Sequence, residues 1–324
     1  MNEAKRNISI DILKFLACIL ITNSHMDELY VECDYLATGG AIGDVLFFFC
    51  SGFTLFLGRN DRFDNWYKRR INRIYPSVFG LAIIVSFFYG SKHNMSYIIL
   101  QGGGWFVSCI MIYYVLLYFI RKYFFNHLKS TFTFSCFVVV IWYIFFFDNK
   151  EEVWMYKDTY FKWGHFFLFM LLGAIMGIKK EINFNHPLYD FTKLIFCTIL
   201  FYGIQYAGVK YPILGYGQIL SLIPLLGITF YLYKIANSSI FKQLYQNKIV
   251  NWTILCIGGL CLEVYLIQPY CRTTELNDIF PLNIIIISLY IIIMAYITRC
   301  VARFFQQTFN AKNGYEWHDI FKII

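Results

Sequence analysis

The chain has 324 residues, of which 58% are hydrophobic, 21% aromatic and only 15% charged, with a net charge of +8 and a mean hydropathy of +0.53. A soluble domain carries about 25% charged residues, so this composition excludes a soluble enzyme, a disordered chain and a secreted disulfide scaffold. Spans in lipid must satisfy their own backbone hydrogen bonds, and the alternating segments of about ten residues that mark a barrel are missing. The expected fold is therefore all-α, a polytopic transmembrane helical bundle.

Apolar runs between charged gaps predict ten spans, over 8–25, 41–57, 75–89, 105–120, 132–147, 163–178, 192–206, 215–233, 252–270 and 280–300. With the N-terminus inside, the inner segments collect 21 Lys and Arg and the outer segments six, and Lys14 within the first helix completes the 28. That asymmetry predicts cytoplasmic N- and C-termini in the cytoplasmic (inner) membrane. The chain reads as one integral-membrane domain over 1–324. A cleavable signal peptide is not expected, because the apolar stretch behind Met1–Asn7 holds Asp11 and Lys14. The ten cysteines form no CxxC pair and no Cys/His zinc spacing, so no metal is expected. Cys33 and Cys271 fall outside the predicted spans, where an oxidising exterior permits a bridge; two unrelated thiols are the preferred reading.

Ionisable residues inside a span are costly and point to function. On the first helix, about 100° per residue places Asp11, Lys14, Cys18 and His25 on one stripe. His25 would stand roughly 16 Å from Lys14 toward the outer side, at about 1.5 Å per residue. The competing reading is a bundle-facing Asp11–Lys14 pair with an interfacial histidine. Asp44 falls at about the depth of His25, where it could accept a hydrogen bond from the ring and set its tautomer. Ser51-Gly52 lies among phenylalanines, and a close helix–helix contact accounts for it best.

The next loop, Trp66-Tyr67-Lys68-Arg69-Arg70-Ile71-Asn72-Arg73-Ile74-Tyr75-Pro76, is the most basic segment. A positive-inside anchor explains the number of charges. The helical spacing of Arg70 and Arg73 also suits two guanidiniums facing one side, as a bidentate phosphate site would require. Gly102-Gly103-Gly104-Trp105-Phe106 opens the fourth span, either as a close backbone approach or as a flexible loop. Glu263 stands in the ninth span ahead of Tyr265, Gln268 and Pro269. A buried glutamate needs a partner, for which Lys14 or an arginine of 68–73 would serve.

Three stretches together resemble acyltransferase family 3, the integral-membrane acyltransferases of bacterial glycans. They are Ile10-Asp11-Ile12-Leu13-Lys14-Phe15-Leu16-Ala17 through His25, Phe48-Phe49-Cys50-Ser51-Gly52-Phe53, and Tyr67 through Pro76 with its Arg-x-x-Arg pattern. Trp105-Phe106 and Leu262-Glu263-Val264-Tyr265-Leu266-Ile267-Gln268 are weaker echoes. The family usually has arginine where Lys14 stands and often histidine where Gln268 stands. No fused esterase-like domain is present, so the chain would be a stand-alone member.

The resemblance implies transfer of an acyl group, most often acetyl, from cytoplasmic coenzyme A to a sugar hydroxyl of a cell-surface polysaccharide or its lipid-linked precursor. His25 would be the base, with Asp44 orienting it, because a sugar hydroxyl is a poor nucleophile and imidazole has a suitable pKa. Lys14, Arg70 and Arg73 would bind the phosphates of acetyl-CoA as co-substrate. Asp11, Ser51, Trp105, Glu263 and Tyr265 would line or support the passage. The expected partners are a glycan or lipid-linked sugar acceptor and the lipid bilayer, with no nucleic acid. The rival is a transporter or flippase of an anionic lipid-linked sugar, which predicts paired broken helices in the two halves.

Overall fold

The computed structural model describes residues 7–58, 61–88, 95–101, 103–148, 150–157, 159–179, 186–309 and 314–323. The described residues form helices and no strands. In chain order they are α1 (Ile8–Ser24), α2 (Gly40–Leu57), α3 (Phe63–Phe88), α4 (Met95–Gln101) and α5 (Gly104–Tyr123). Next come α6 (Leu128–Phe146), α7 (Phe161–Ile178), α8 (Pro187–Lys210), α9 (Pro212–Gly215) and α10 (Leu222–Ala236). Last are α11 (Ser239–Gln246), α12 (Lys248–Gly259), α13 (Cys261–Cys271), α14 (Leu282–Thr308) and α15 (Trp317–Phe321). Short 3₁₀ turns join several of them.

Among the described residues, eight helical segments are long and apolar enough to cross a membrane, or nine if α12 and α13, bent by 69° at their junction, are one span. The protein is an all-α, multi-pass membrane protein. The ten predicted runs map onto α1, α2, α3, α5, α6, α7, α8, α10, the α12–α13 pair and α14. With 17 residues, α1 is at the short limit for a span. One bent pair is present among the described residues, where a transporter of the expected kind would have a matching second.

Two predicted boundaries change. The basic stretch 66–75, expected as a loop, is already helix, because α3 starts at Phe63. Pro76 does not end it. Proline denies a hydrogen bond to the carbonyl four residues earlier; that carbonyl, of Asn72, instead accepts one from the Gln306 side chain at 3.4 Å. The ninth run, expected as one helix, breaks after Gly258-Gly259, where two residues without side chains weaken the helix.

Contacts divide the chain into two compact units, and α1 and α2 each contribute to both. The first comprises Met1–Lys14, Asp44–Arg59 and Phe119–Asn251; the second comprises Phe15–Gly43, Asn60–Tyr118 and Trp252–Ile324.

In the first unit, α2 and α7 meet backbone to backbone. A Cβ at Gly52 would overlap the Met170 carbonyl, one at Gly173 would overlap the Phe49 carbonyl, and one at Gly177 would stand 2.9 Å from the Phe53 oxygen. Small residues permit such close approach where lipid supplies no hydrophobic drive between helices. The helices α6 and α8 present apolar outer faces, including Phe134, Phe137 and Phe145 on one and Phe196, Ile199 and Val209 on the other, which suits lipid contact. The α8–α10 contact holds an ion pair, Lys234 Nζ donating to Asp190 Oδ1 at 2.6 Å, with both side chains largely buried. Asp190 sits in the first turn of α8 and Lys234 in the last turn of α10, so each charge also complements its helix dipole. Removing one partner strands a buried charge. Asp190→Ala should therefore destabilise the protein by about 3–5 kcal/mol, whereas Asp190→Leu with Lys234→Met should be near neutral. Thermal unfolding in detergent checks this, and equal losses in both variants would contradict it.

In the second unit, α3 packs on α14, with Gly80 against the Thr298 carbonyl and Ala302, and Phe79 stacked on Phe305 at 4.9 Å. The segment 26–38 is tied down by its backbone. Asn23 Nδ2 donates to the Leu36 and Thr38 carbonyls at 2.8 and 2.9 Å, and Asn283 Nδ2 donates to the Leu29 carbonyl at 2.9 Å. Met26 and Leu29 are buried beneath. All ten cysteines are free; Cys33 is half-buried and Cys271 buried at the end of α13, so the permitted Cys33–Cys271 bridge does not form.

Candidate active site

Three of the polar residues expected on one face of the first helix lie within α1. Asp11 and Cys18 are buried and Lys14 is half-buried. The Tyr245 hydroxyl of α11 donates to Asp11 Oδ2 at 3.2 Å. The Cys50 thiol of α2 lies 3.8 Å from the Ile10 carbonyl, within Coulombic reach of both Lys14 and Asp11. Asp11, Lys14, Cys50 and Tyr245 belong to the first unit.

His25 differs from the expected stripe in one respect. The helix ends at Ser24, so His25 sits in the turn that leaves it, its N–H donating to the Thr22 carbonyl at 3.2 Å. The residue is exposed. Its backbone carbonyl accepts a hydrogen bond from the Arg272 guanidinium, which also faces Asp27 at 3.9 Å. Within the second unit, the turn carrying the imidazole is thus held through its backbone.

Asp44 belongs to the first unit, where its electrostatic partner is Lys162. Lys162 was counted among outer-loop charges in the sequence; it is buried in α7. One turn on, His165 is fully buried, its ring 5.1 Å from that of Tyr156, 5.4 Å from Phe161 and 4.4 Å from Phe166. Sequence reading missed both residues, although their three-residue spacing inside an apolar run was a visible signal. Tyr156, outside the spans, donates to or accepts from Ser221 Oγ at 2.8 Å; burial pushes its hydroxyl pKa up, and that hydrogen bond partly opposes the rise. Ser51 is half-buried on α2, and its neighbour Gly52 makes the close helix contact that was expected there.

The two arginines ahead of the third span have different surroundings. The Arg70 guanidinium lies 4.5 Å from the Trp66 ring centroid and 5.8 Å from that of Tyr114. Trp66 is buried, so this cation–π contact gives Arg70 a fixed, half-buried place. Arg73 is exposed, and Arg69 pairs with Asp61. The helix therefore offers one oriented guanidinium and one at its exposed edge, either of which can meet an anionic ligand.

At the start of α5, Gly103 and Gly104 have φ of +86° and +82°, a region that side-chain-bearing residues rarely adopt. A Cβ at Gly103 would press on Leu266 and Val107, and one at Gly104 would stand 3.7 Å from the Tyr265 hydroxyl. The glycines thus make a close approach to α13; Gly102 lies outside the described residues. Trp105 is half-buried and edge-on to Phe106, which in turn packs against Tyr265 at 4.9 Å.

Glu263 is buried in the first turn of α13. Ser77 Oγ of α3 donates to its Oε1 at 2.8 Å, and Arg299 Nη2 of α14 donates to its Oε2 at 2.7 Å. The expected partners, Lys14 or an arginine of 68–73, are replaced by Arg299, because α14 packs against both α3 and α13.

Comparison with curated proteins and with solved structures finds no match. A family model described as an acyltransferase domain matches residues 7–312. That match runs through α1, the basic start of α3, the Gly103–Tyr265 approach and the Glu263 network, and with the membrane-crossing helices it makes the protein a membrane acyltransferase: the chain belongs to acyltransferase family 3.

Proposed function

We propose that this membrane acyltransferase moves an acetyl group from cytoplasmic acetyl-CoA to a sugar hydroxyl of a cell-surface polysaccharide or its lipid-linked precursor. The observation that carries the reading is α1 within the family match, an apolar helix whose Asp11 is buried and Lys14 half-buried, followed by an exposed imidazole in the turn that leaves it. In this reading both termini are cytoplasmic, the protein lies in the cytoplasmic membrane, and His25 is on the acceptor side. The imidazole takes the proton of the sugar hydroxyl as oxygen attacks the thioester carbonyl; the coenzyme A thiolate leaves and receives a proton. Arg70, already oriented by Trp66 and Tyr114, and Arg73 bind donor phosphates by charge-assisted hydrogen bonds. Lys14 adds positive charge on the donor side, and Trp105 and Tyr265 line the passage.

The test is direct. Membranes of the producing host, with and without the protein, are incubated with radiolabelled acetyl-CoA, and label is counted in the glycan fraction. Label that enters glycan independently of the protein would contradict the reading. The donor assignment has its own check. Arg70→Ala and Arg73→Ala should each weaken acetyl-CoA binding by about 1.5–3 kcal/mol with expression intact, and Lys14→Arg should be tolerated. Calorimetry showing unchanged donor affinity in both alanine variants would reduce the basic cluster to a topology anchor.

A further inference from the structure

A break inside a membrane span leaves carbonyls at the end of one half-helix and N–H groups at the start of the next without helical partners, and lipid cannot satisfy them. The junction of α12 and α13, which are bent by 69° and apolar enough to cross a membrane only as a pair, leaves such groups. One side chain from a third helix reaches both sides of it. Arg299 Nη2 donates to the Gly259 carbonyl, the last of α12, and to Glu263 Oε2 in the first turn of α13. The guanidinium lies along the junction, so that a Cβ at Gly259 would stand 3.5 Å from Nη1. The charges follow the helix dipoles, with a cation at the C-terminal end of α12 and a carboxylate at the N-terminal end of α13. The second carboxylate oxygen is taken by Ser77, seven residues after Arg70 on α3. The Arg299 side chain is 15% exposed and that of Glu263 6%.

The geometry points to Arg299 as a positioning residue that pins the ninth span in its broken form and holds Glu263 against α3. Nothing in its sequence position suggests this, since Arg299 reads as one of several topology charges at the end of the last span. Both bonds come from one nitrogen, Nη2, whose two N–H groups are held in the guanidinium plane, so the acceptors on the two half-helices are met in one fixed geometry. The inference rests on the acyl-transfer reading for its consequence: a pinned α13 also fixes Tyr265, which packs on Phe106 next to Trp105.

The experiment uses the full chain in host membranes with radiolabelled acetyl-CoA as the probe, together with amide hydrogen exchange across 256–264. Arg299→Met should speed exchange at the break and lower kcat by about 100-fold, the scale of a small misplacement, with donor KM nearly unchanged. Should that variant fold poorly, Glu263→Gln with Arg299→Met leaves no buried carboxylate stranded; it should be equally slow. Near-wild-type kcat in the double variant would make the pair merely structural and overturn the proposal. A raised donor KM with kcat intact would overturn it by making Arg299 a donor ligand, and unchanged exchange would overturn the pin itself. If the wild-type protein moves no label to glycan, the acetyl-transfer reading fails, and the exchange result still decides the pin.

Discussion

Replacing His25 with alanine is expected to lower acetyl transfer to glycan by about 10²–10⁴-fold, the usual contribution of a general base, at an unchanged level of protein in the membrane. The backbone contacts around His25 should keep the turn in place in the variant. Arg272 holds the turn through the His25 carbonyl, Asn23 and Asn283 hold the segment that follows through its backbone, and Met26 and Leu29 anchor it from below. Every one of those contacts survives removal of the ring. His25→Gln is a useful companion, because it keeps hydrogen-bonding capacity without a titrating nitrogen and should be nearly as slow. Counting label in the glycan fraction at matched protein levels checks both, and an alanine variant that retained most of its activity would end the base assignment.

The second large effect is on folding. Alanine at Gly52 or Gly173 should prevent the α2–α7 contact from forming as it stands. Overpacking a core costs roughly 1–3 kcal/mol when side chains can yield, but here the obstacles are the Met170 and Phe49 carbonyls, so the loss should sit at or above the top of that range. Gly203→Ala is the control. That position is exposed on α8 with nothing within 4 Å of a Cβ, and replacing glycine in a helix interior gains up to about 1 kcal/mol. Thermal denaturation in detergent should therefore separate the three variants, with Gly52→Ala and Gly173→Ala lowering Tm and Gly203→Ala holding or raising it. Equal behaviour of all three would contradict the packing account.

Much of the fold was legible in the residues alone. Lipid admits only self-satisfied backbone, so apolar runs located the helices, and the charge-bearing face of α1 could be read from a helical repeat. The likeness of residues 10–76 to a family pattern agrees with a family match extending over 7–312. Local signals were weaker where two rules competed. The apolar run put the start of the third span at 75, after a dense run of cations, yet the helix begins at Phe63, and the Asn72 carbonyl that Pro76 cannot serve accepts from Gln306.

The partners of the buried charges were decided by tertiary structure alone. Glu263 was visibly in need of a cation, but the chain offers many, and which one reaches it depends on the packing of α14 against α3 and α13. Asp44 likewise faces Lys162 of α7, a residue that sequence placed in a loop. The break after Gly259 was not read from the sequence because 252–270 is apolar enough overall to pass as one span, and Gly258-Gly259 alone does not say whether a helix bends there. Hydropathy reports whether a segment prefers lipid, which is a property of its own side chains; whether its helix stays whole depends on what another helix supplies to the freed carbonyls, and here that is a single guanidinium 40 residues away.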